Sequence, residues 1–227
     1  MFLFQISTNN PIDTTALESS PETLSVLDLA FKGGYMMIPL IILSMLAVYI
    51  FVERVLTIKR AAKIPAQFAE KIRNLVHTGD ISGARMMCTQ TDSPVARMIE
   101  KGISRIGSPL KTIEASIENV GKIEIYRLEK NLTLLATISG AAPMIGFLGT
   151  VTGMIQAFIA IAQEEGSVSP RLLSTGIYEA MVTTATGLII GILAYLGYNY
   201  LVSRVQKIVH QMEYTSIDFI DLLQEPR

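Results

Sequence analysis

Charged residues are absent from three long stretches of this sequence, 33–52, 131–163 and 180–203. A helix needs about 20 mostly apolar residues to cross a bilayer. A surface helix of a soluble protein instead carries charge along one face. The missing charge therefore excludes a soluble helical protein and predicts three transmembrane helices.

The chain also has few of the residues that build catalytic or metal sites. Its one cysteine, Cys88, cannot form an intrachain disulfide, and its histidines, His77 and His210, are isolated surface positions. No Cys/His cluster indicates a metal, and no GxxxxGK[ST] loop indicates a nucleotide. We therefore expect a protein that is not an enzyme, with no cofactor and no nucleic-acid partner. Cys88 is expected to be a reduced, packed thiol.

Lysine and arginine are concentrated in one region. Residues 59–130 hold 13 of the 19, whereas residues 1–32 hold one and the loop after the second run holds one. Positively charged segments stay on the cytoplasmic side. We therefore expect a periplasmic N-terminus and a cytoplasmic C-terminus. The opening MFLFQISTNNPID lacks a basic region, so the first span is expected to act as an uncleaved anchor.

The predicted fold is an all-α integral membrane protein with the second and third helices extended into the cytoplasm. The segments are a periplasmic tail with an amphipathic helix (1–34), a first span (35–58), a cytoplasmic helical domain (59–130), a second span (131–163), a periplasmic loop (164–173), a third span (174–203) and a cytoplasmic C-terminal helix (204–227). The spans are expected to associate with membrane lipid on their outer faces.

Ser-Pro pairs predict helix starts, because serine caps a helix and proline is tolerated at its first position. The cytoplasmic domain is predicted to form short helices near 65–78, 81–90 and 94–106. From Pro109 the apolar spacing continues without a breaker into the second span. The four predicted starts are at Ser20-Pro21, Ser93-Pro94, Ser108-Pro109 and Ser169-Pro170.

The second span is rich in small residues at helical spacing. Gly146, Thr150, Gly153 and Ala157 share one face, and such residues let membrane helices pack closely. On this evidence alone, the favoured interpretation of Thr150 is one more small packing residue. Proline inside the span leaves a carbonyl without its hydrogen bond. The predicted packing or kink positions are Pro143, Gly146, Gly149, Gly153 and Gly187.

The third span begins with a carboxylate and a cluster of threonines. Glu179, Thr183 and Thr186 share a face at steps of four and three, whereas Thr184 lies about 140° from Glu179. A carboxylate inside a membrane is costly and usually faces protein or water. Glu179 is alternatively an interfacial anchor. Threonine hydroxyls also bond to their own backbone, so each is a weak signal alone.

Three segments carry a further signal: KGGYMMIPLIILS with Glu53-Arg54, LATISGAAPMIGFLGTVTGMIQAF, and IYEAMVTTATGLIIGI. Together they resemble the MotA/TolQ/ExbB proton channel family, and the first of them fits its ExbB/TolQ branch. The resemblance implies a homopentamer in the bacterial inner membrane, enclosing the two helices of a dimeric, single-span ExbD/TolR-like partner. Proton flow would drive a TonB- or TolA-like protein. The polar positions that match the family are Thr150, Glu179 and Thr184.

A proton relay needs a titrating group near the centre of the membrane, and threonine does not titrate near neutral pH. No aspartate lies in the three spans, so we expect a partner helix to supply the carboxylate. The proton is then the coupling ion. Rival interpretations are a passive helical scaffold, a stator for surface motility, and a transporter, which three spans without inverted halves make less favoured. The candidate pathway residues are Thr150, Glu179, Thr183, Thr184 and Thr186.

Overall fold

The fold is described from a computed structural model, which covers residues 34–63, 65, 67–163 and 170–224. Within these ranges the chain forms seven α-helices and no strand. The predicted amphipathic helix from Pro21 to Lys32 and its Ser20-Pro21 start lie outside the described residues. The helices are α1 (Met37–Ala61), α2 (Phe68–His77), α3 (Ile81–Gln90), α4 (Pro94–Ile103), α5 (Leu110–Glu129), α6 (Leu132–Gln163) and α7 (Pro170–Gln224).

Helices α1, α6 and α7 form the membrane bundle. Each is long and apolar enough to cross a bilayer, which confirms the prediction of three spans. At 1.5 Å per residue, the 55 residues of α7 reach about 80 Å, whereas the hydrocarbon core is about 30 Å thick. Helix α7 therefore continues well past the membrane, as predicted, and packs most extensively against α6.

Helices α2 to α5, residues 68–129, pack around the last third of α7 and are called the basic domain below. Their shared core buries apolar side chains from several helices, including Ile99, Ile117, Met212 and Phe219. Cys88 belongs to the same core, as predicted, and is 1% exposed. Burial, with a smaller contribution from the charge of Glu100, raises the pKa of its thiol to about 12.

Of two predicted Ser-Pro helix starts in the basic domain, the structure confirms one and corrects the other. The Ser93 hydroxyl accepts the Ala96 N–H at 3.2 Å and Pro94 occupies the first turn of α4, which confirms that start. The Ser108 start was wrong. Pro109, with ψ of 138°, is itself the N-cap of α5 and no side chain caps that helix. Because Pro109 is still extended, Ser108 lies one residue too early to reach the first turn.

The prediction of an unbroken helix from Pro109 into the second span is also corrected. Helix α5 ends at Glu129 and α6 begins at Leu132. Asn131, between them, has φ of 64°, a left-handed conformation that asparagine adopts more readily than most residues. Buried Arg54 of α1 donates to the Arg127 carbonyl at 3.1 Å, so the first span holds the end of α5 at this interruption.

Candidate functional site

Helices α6 and α7 meet along a row of glycines, called the glycine seam: Gly146, Gly149 and Gly153 of α6 with Gly176, Gly187 and Gly191 of α7. A Cβ added to Gly187 would lie 2.6 Å from the Ala142 carbonyl oxygen, and one added to Gly146 would lie 3.0 Å from that of Thr183. The two backbones are therefore in direct contact. Any side chain at these positions would push the helices apart.

The seam continues to the only proline within the described span of α6. Pro143 cannot donate the hydrogen bond that would reach the Ser139 carbonyl. A Cβ on Gly191 would lie 2.5 Å from the Pro143 ring and 2.9 Å from that carbonyl oxygen. Gly191 and Gly176 were not among the predicted packing positions. The spacing of four from Gly187 to Gly191 was the available signal for the first of them.

The threonines of the third span bond in two different ways. The Thr184 hydroxyl donates across the seam to the Gly146 carbonyl at 2.8 Å. The Thr183 and Thr186 hydroxyls each donate at 2.8 Å to a carbonyl of their own helix, those of Ala180 and Val182. Thr183 is also 1% exposed and lies directly on Gly149. Of the three, Thr184 is the one whose hydroxyl links the two helices.

Thr150, the predicted hydroxyl of the second span, is half-buried and donates to the carbonyl of Phe147 at 2.6 Å. It follows Gly146 by four residues and so lies one turn further along the same helix. Thr150 and Thr184 therefore lie near one another along the seam, each with its hydroxyl hydrogen committed to a backbone carbonyl. The oxygen lone pairs of both hydroxyls remain able to accept a hydrogen bond.

Glu179 lies where the third span meets the start of the first. Its carboxylate packs on Gly34, and a Cβ added to Gly34 would overlap its Oε1 atom. Gly34 has φ of 65°, which glycine adopts at little cost. The position suits an anion, because the N-terminus of α1 carries partial positive charge. This contact joins residues 145 apart in sequence, so spacing could not predict it.

A narrow cleft beside this contact collects further polar groups. It is lined on the α6 side by Thr152 and Gln156 and on the α7 side by Glu179 and Thr183. Tyr35, two residues before the start of α1, lines it from a third side. Neither Thr152 nor Gln156 was among the predicted site residues. Two of the three residues of the predicted stripe, Glu179 and Thr183, therefore face the start of α1, whereas Thr186 does not line this cleft.

The other two matched hydroxyls lie on the opposite edge of the seam. On α6, Thr150 is two residues from Thr152 and therefore points about 200° away from it around the helix axis. Thr152 faces the narrow cleft beside the start of α1. Thr184 is about 140° from Glu179, which faces the same cleft. The seam thus has two edges. One faces α1 and carries the Glu179 carboxylate, and the other is turned away from α1 and carries Thr150 and Thr184.

Comparison with known proteins places the chain in a family. Residues 90–214, which include α6 and most of α7, match the MotA/TolQ/ExbB proton channel family. An ExbB-like biopolymer transport protein of Synechocystis is 30% identical over 201 residues, 85% of this chain and 76% of its own length. Biopolymer transport protein ExbB of Aquifex aeolicus is 35% identical over 106 residues, 47% of this chain and 70% of its own.

A third relative comes from the Tol system. The Tol-Pal system protein TolQ of Haemophilus influenzae is 39% identical over 85 residues, 37% of each chain. The two shorter matches have the higher identity, and the Synechocystis match extends over most of the chain. The chain is a multi-pass membrane protein that belongs to the MotA/TolQ/ExbB proton channel family, in its ExbB/TolQ branch.

Proposed function

We propose that this chain is the channel and stator subunit of a machine driven by the proton motive force in a bacterial inner membrane. Five copies form a ring around the two membrane helices of an ExbD/TolR-like partner, and the complex energises a TonB- or TolA-like protein. The N-terminus is periplasmic, and the basic domain and C-terminus are cytoplasmic. Family membership and the names of the ExbB and TolQ relatives support this assignment.

The observation that carries the proposal is the edge formed by Thr150 and Thr184. Each hydroxyl donates to a backbone carbonyl, which fixes the oxygen as an acceptor. An oxygen so fixed can accept a hydrogen bond from water or from a protonated carboxylic acid. It has no hydrogen left to donate to a deprotonated carboxylate. The edge therefore favours the neutral form of a carboxylate brought by the partner. This preference is what a helix must offer for a proton carrier to pass through an apolar region.

Glu179 has a separate task in this proposal. Its carboxylate lies beside the N-terminal end of α1, near one end of the bundle and away from the Thr150 and Thr184 edge. There it attracts protons and water to the periplasmic mouth. Each proton that crosses supplies about 2.3 kcal/mol per 100 mV. Several transfers together suffice to move the ring relative to the partner.

A passive helical scaffold is the second candidate, and one observation favours it. The Thr150, Thr183 and Thr186 hydroxyls all bond to carbonyls of their own helices, as threonines do in membrane helices without further function. A scaffold predicts that substitutions reduce activity only to the extent that they reduce assembly. Stator activity in surface motility would leave the ring and partner unchanged, and differs only in what the complex drives.

The test is the composition of the purified complex. The chain is produced together with an ExbD/TolR-like single-span protein, extracted in mild detergent and weighed by native mass spectrometry. We expect five copies of this chain with two of the partner. A stable monomer or dimer, or a ring that never retains the partner, would contradict the proposed function.

A further inference from the structure

Helices α1 and α7 enclose a cavity at the end of the membrane bundle nearest the basic domain. Its volume is about 360 Å³, and it is lined by three cationic side chains, Lys59, Arg204 and Lys207. No carboxylate lines it. Within the described part of the chain none of the three cations forms an ion pair, whereas Arg97 and Lys122 of the basic domain are both paired with acids. The cavity therefore concentrates unneutralised positive charge.

An apolar groove continues from this cavity along the same two helices. It has a volume of about 440 Å³ and is lined by residues such as Phe51 of α1 and Leu193 and Gly197 of α7. Tyr200 lines both spaces, and Arg204 lies over its ring at 5.2 Å from the centroid. The basic cavity and the groove are thus one continuous surface, polar at one end and apolar at the other.

The dimensions of this surface fit one leaflet of a membrane. The groove follows α7 from Ile190 to Tyr200, and the helix rises about 15 Å between these two residues. Half of a hydrocarbon core about 30 Å thick is the same length. The cationic side chains begin immediately beyond Tyr200, where the headgroups of that leaflet lie. Tyrosine is itself common at this boundary.

We propose that the surface between α1 and α7 binds an anionic phospholipid from the leaflet on the side of the basic domain. The phosphate and headgroup contact Lys59, Arg204 and Lys207, and one acyl chain lies in the groove beside Phe51 and Gly197. The charge of the cavity selects the lipid, because basic pockets between membrane helices bind anionic headgroups. The apolar groove distinguishes a lipid from a free phosphate ester. The inference does not depend on the proposed proton path.

The site bears on how the first span is held. Helices α1 and α7 also contribute buried side chains, including Ile50 and Leu201, to the same apolar core. A lipid in the groove would fill the space between the helices and attach α1 to the cationic face of α7. Binding is therefore expected to stabilise the position of α1 and, through Arg54, the junction between α5 and α6.

The experiment measures lipid retention on the full complex. Delipidated protein is titrated with dioleoyl phosphatidylglycerol or dioleoyl phosphatidylcholine and examined by native mass spectrometry. Lys59→Gln with Lys207→Gln removes two charges from the cavity. Arg60→Gln with Lys63→Gln is the matched control, because both side chains are exposed at the same end of α1 and neither lines the cavity. Ser44→Leu, which fills the apolar groove, tests the acyl end.

We expect phosphatidylglycerol to bind the native protein and the control pair at least tenfold more tightly than phosphatidylcholine. The cavity pair should lose about tenfold in affinity for phosphatidylglycerol only, and Ser44→Leu should weaken both lipids. Equal retention by the cavity pair and the control would overturn the proposal. So would displacement of the lipid by millimolar glycerol 3-phosphate, which would indicate a simple anion site. If the cavity pair loses the oligomer but keeps the lipid, a second copy of the chain covers this face, and the proposal is likewise overturned.

Discussion

The membrane bundle and the basic domain hold their helices together with different chemistry. In the bundle, α6 and α7 touch backbone to backbone at glycines such as Gly146 and Gly187. In the basic domain, α4 and α5 are joined through Glu124, which is 3% exposed and accepts hydrogen bonds from Arg97 and Arg127 at 2.7 Å. Burial by itself would lower the pKa of Arg97, but its bonds to Glu124 and Asp92 outweigh it and the pKa is raised.

This difference follows from the solvent around each part. Lipid gives no hydrophobic driving force between helices, so close packing of small residues supplies the contact. Water does give that force, and the basic domain has a buried apolar core with charges satisfied at its margin. The bundle is therefore sensitive to added volume, and the basic domain to removal of a charged partner. The following predictions test that contrast.

The largest effect is expected from added volume in the glycine seam. In Gly187→Ala the new methyl group meets the Ala142 carbonyl and the Gly146 backbone, which cannot move independently of their helices. Overpacking costs about 1–3 kcal/mol even where side chains can adjust. We expect the yield of assembled complex to fall several-fold. Gly140→Ala is the control within the same bundle, because nothing lies within 4 Å of its Cβ position. Equal yields for the two variants would contradict the described seam.

A smaller loss is expected when the charge at the margin of the basic domain is removed. Glu124→Gln leaves two arginines facing a neutral amide, and hydrogen bonds to charged groups contribute about 1.5–3 kcal/mol. Thermal unfolding of the purified protein should show a clear drop in midpoint. Glu118→Gln breaks only an exposed pair with Lys122, worth a few tenths of a kcal/mol. A midpoint unchanged in Glu124→Gln would mean that the buried pair contributes nothing net.

A partial effect on activity is expected at Gly34. An alanine there must adopt a left-handed conformation, which costs about 1 kcal/mol, and its methyl group would displace the Glu179 carboxylate. Proton-driven activity should fall while the complex remains assembled. Gly79→Ala is the control for the backbone strain alone. Its φ is 80°, so an alanine there has the same kind of cost, but nothing lies within 4 Å of its Cβ position. If both variants keep full activity, the contact between Glu179 and the first span has no functional role.

The smallest effect is expected from treating Cys88 with a thiol reagent. Because the thiol is buried and its pKa is about 12, a maleimide at pH 7 to 8 should leave it unmodified in the folded protein. Thr89→Cys in a Cys88→Ala background places a thiol at an exposed position. A membrane-impermeant maleimide should label that thiol only after spheroplasts are broken. Labelling of intact spheroplasts would reverse the proposed orientation, and rapid labelling of native Cys88 would contradict its burial.

The spans and the basic domain could largely be predicted from sequence because their signals are local. Charge-free runs mark the three helices, and the Ser93 cap sits beside the helix it starts. The break at Asn131 was missed because apolar spacing continues on both sides of it, and Arg54 completes the junction from another helix. Which of Thr183 and Thr184 links the second and third spans also depends on the neighbouring helix. Only with α6 in place does Thr183 become the buried group and Thr184 the one that crosses the seam.

The central claim is that Thr150 and Thr184 form the edge that handles the partner's carboxylate. The most direct measurement pairs proton-driven activity with the yield of complex for the Thr150→Val, Thr184→Val double variant. Valine keeps the shape and removes the hydroxyl, and interhelical hydroxyl bonds contribute only about 0.6 kcal/mol on average. Thr183→Val with Thr186→Val is the control on the other side of the helix. We predict that the first variant assembles normally and loses activity, while the control keeps it. Full activity in the first variant, or a loss that only follows reduced assembly, would contradict the account.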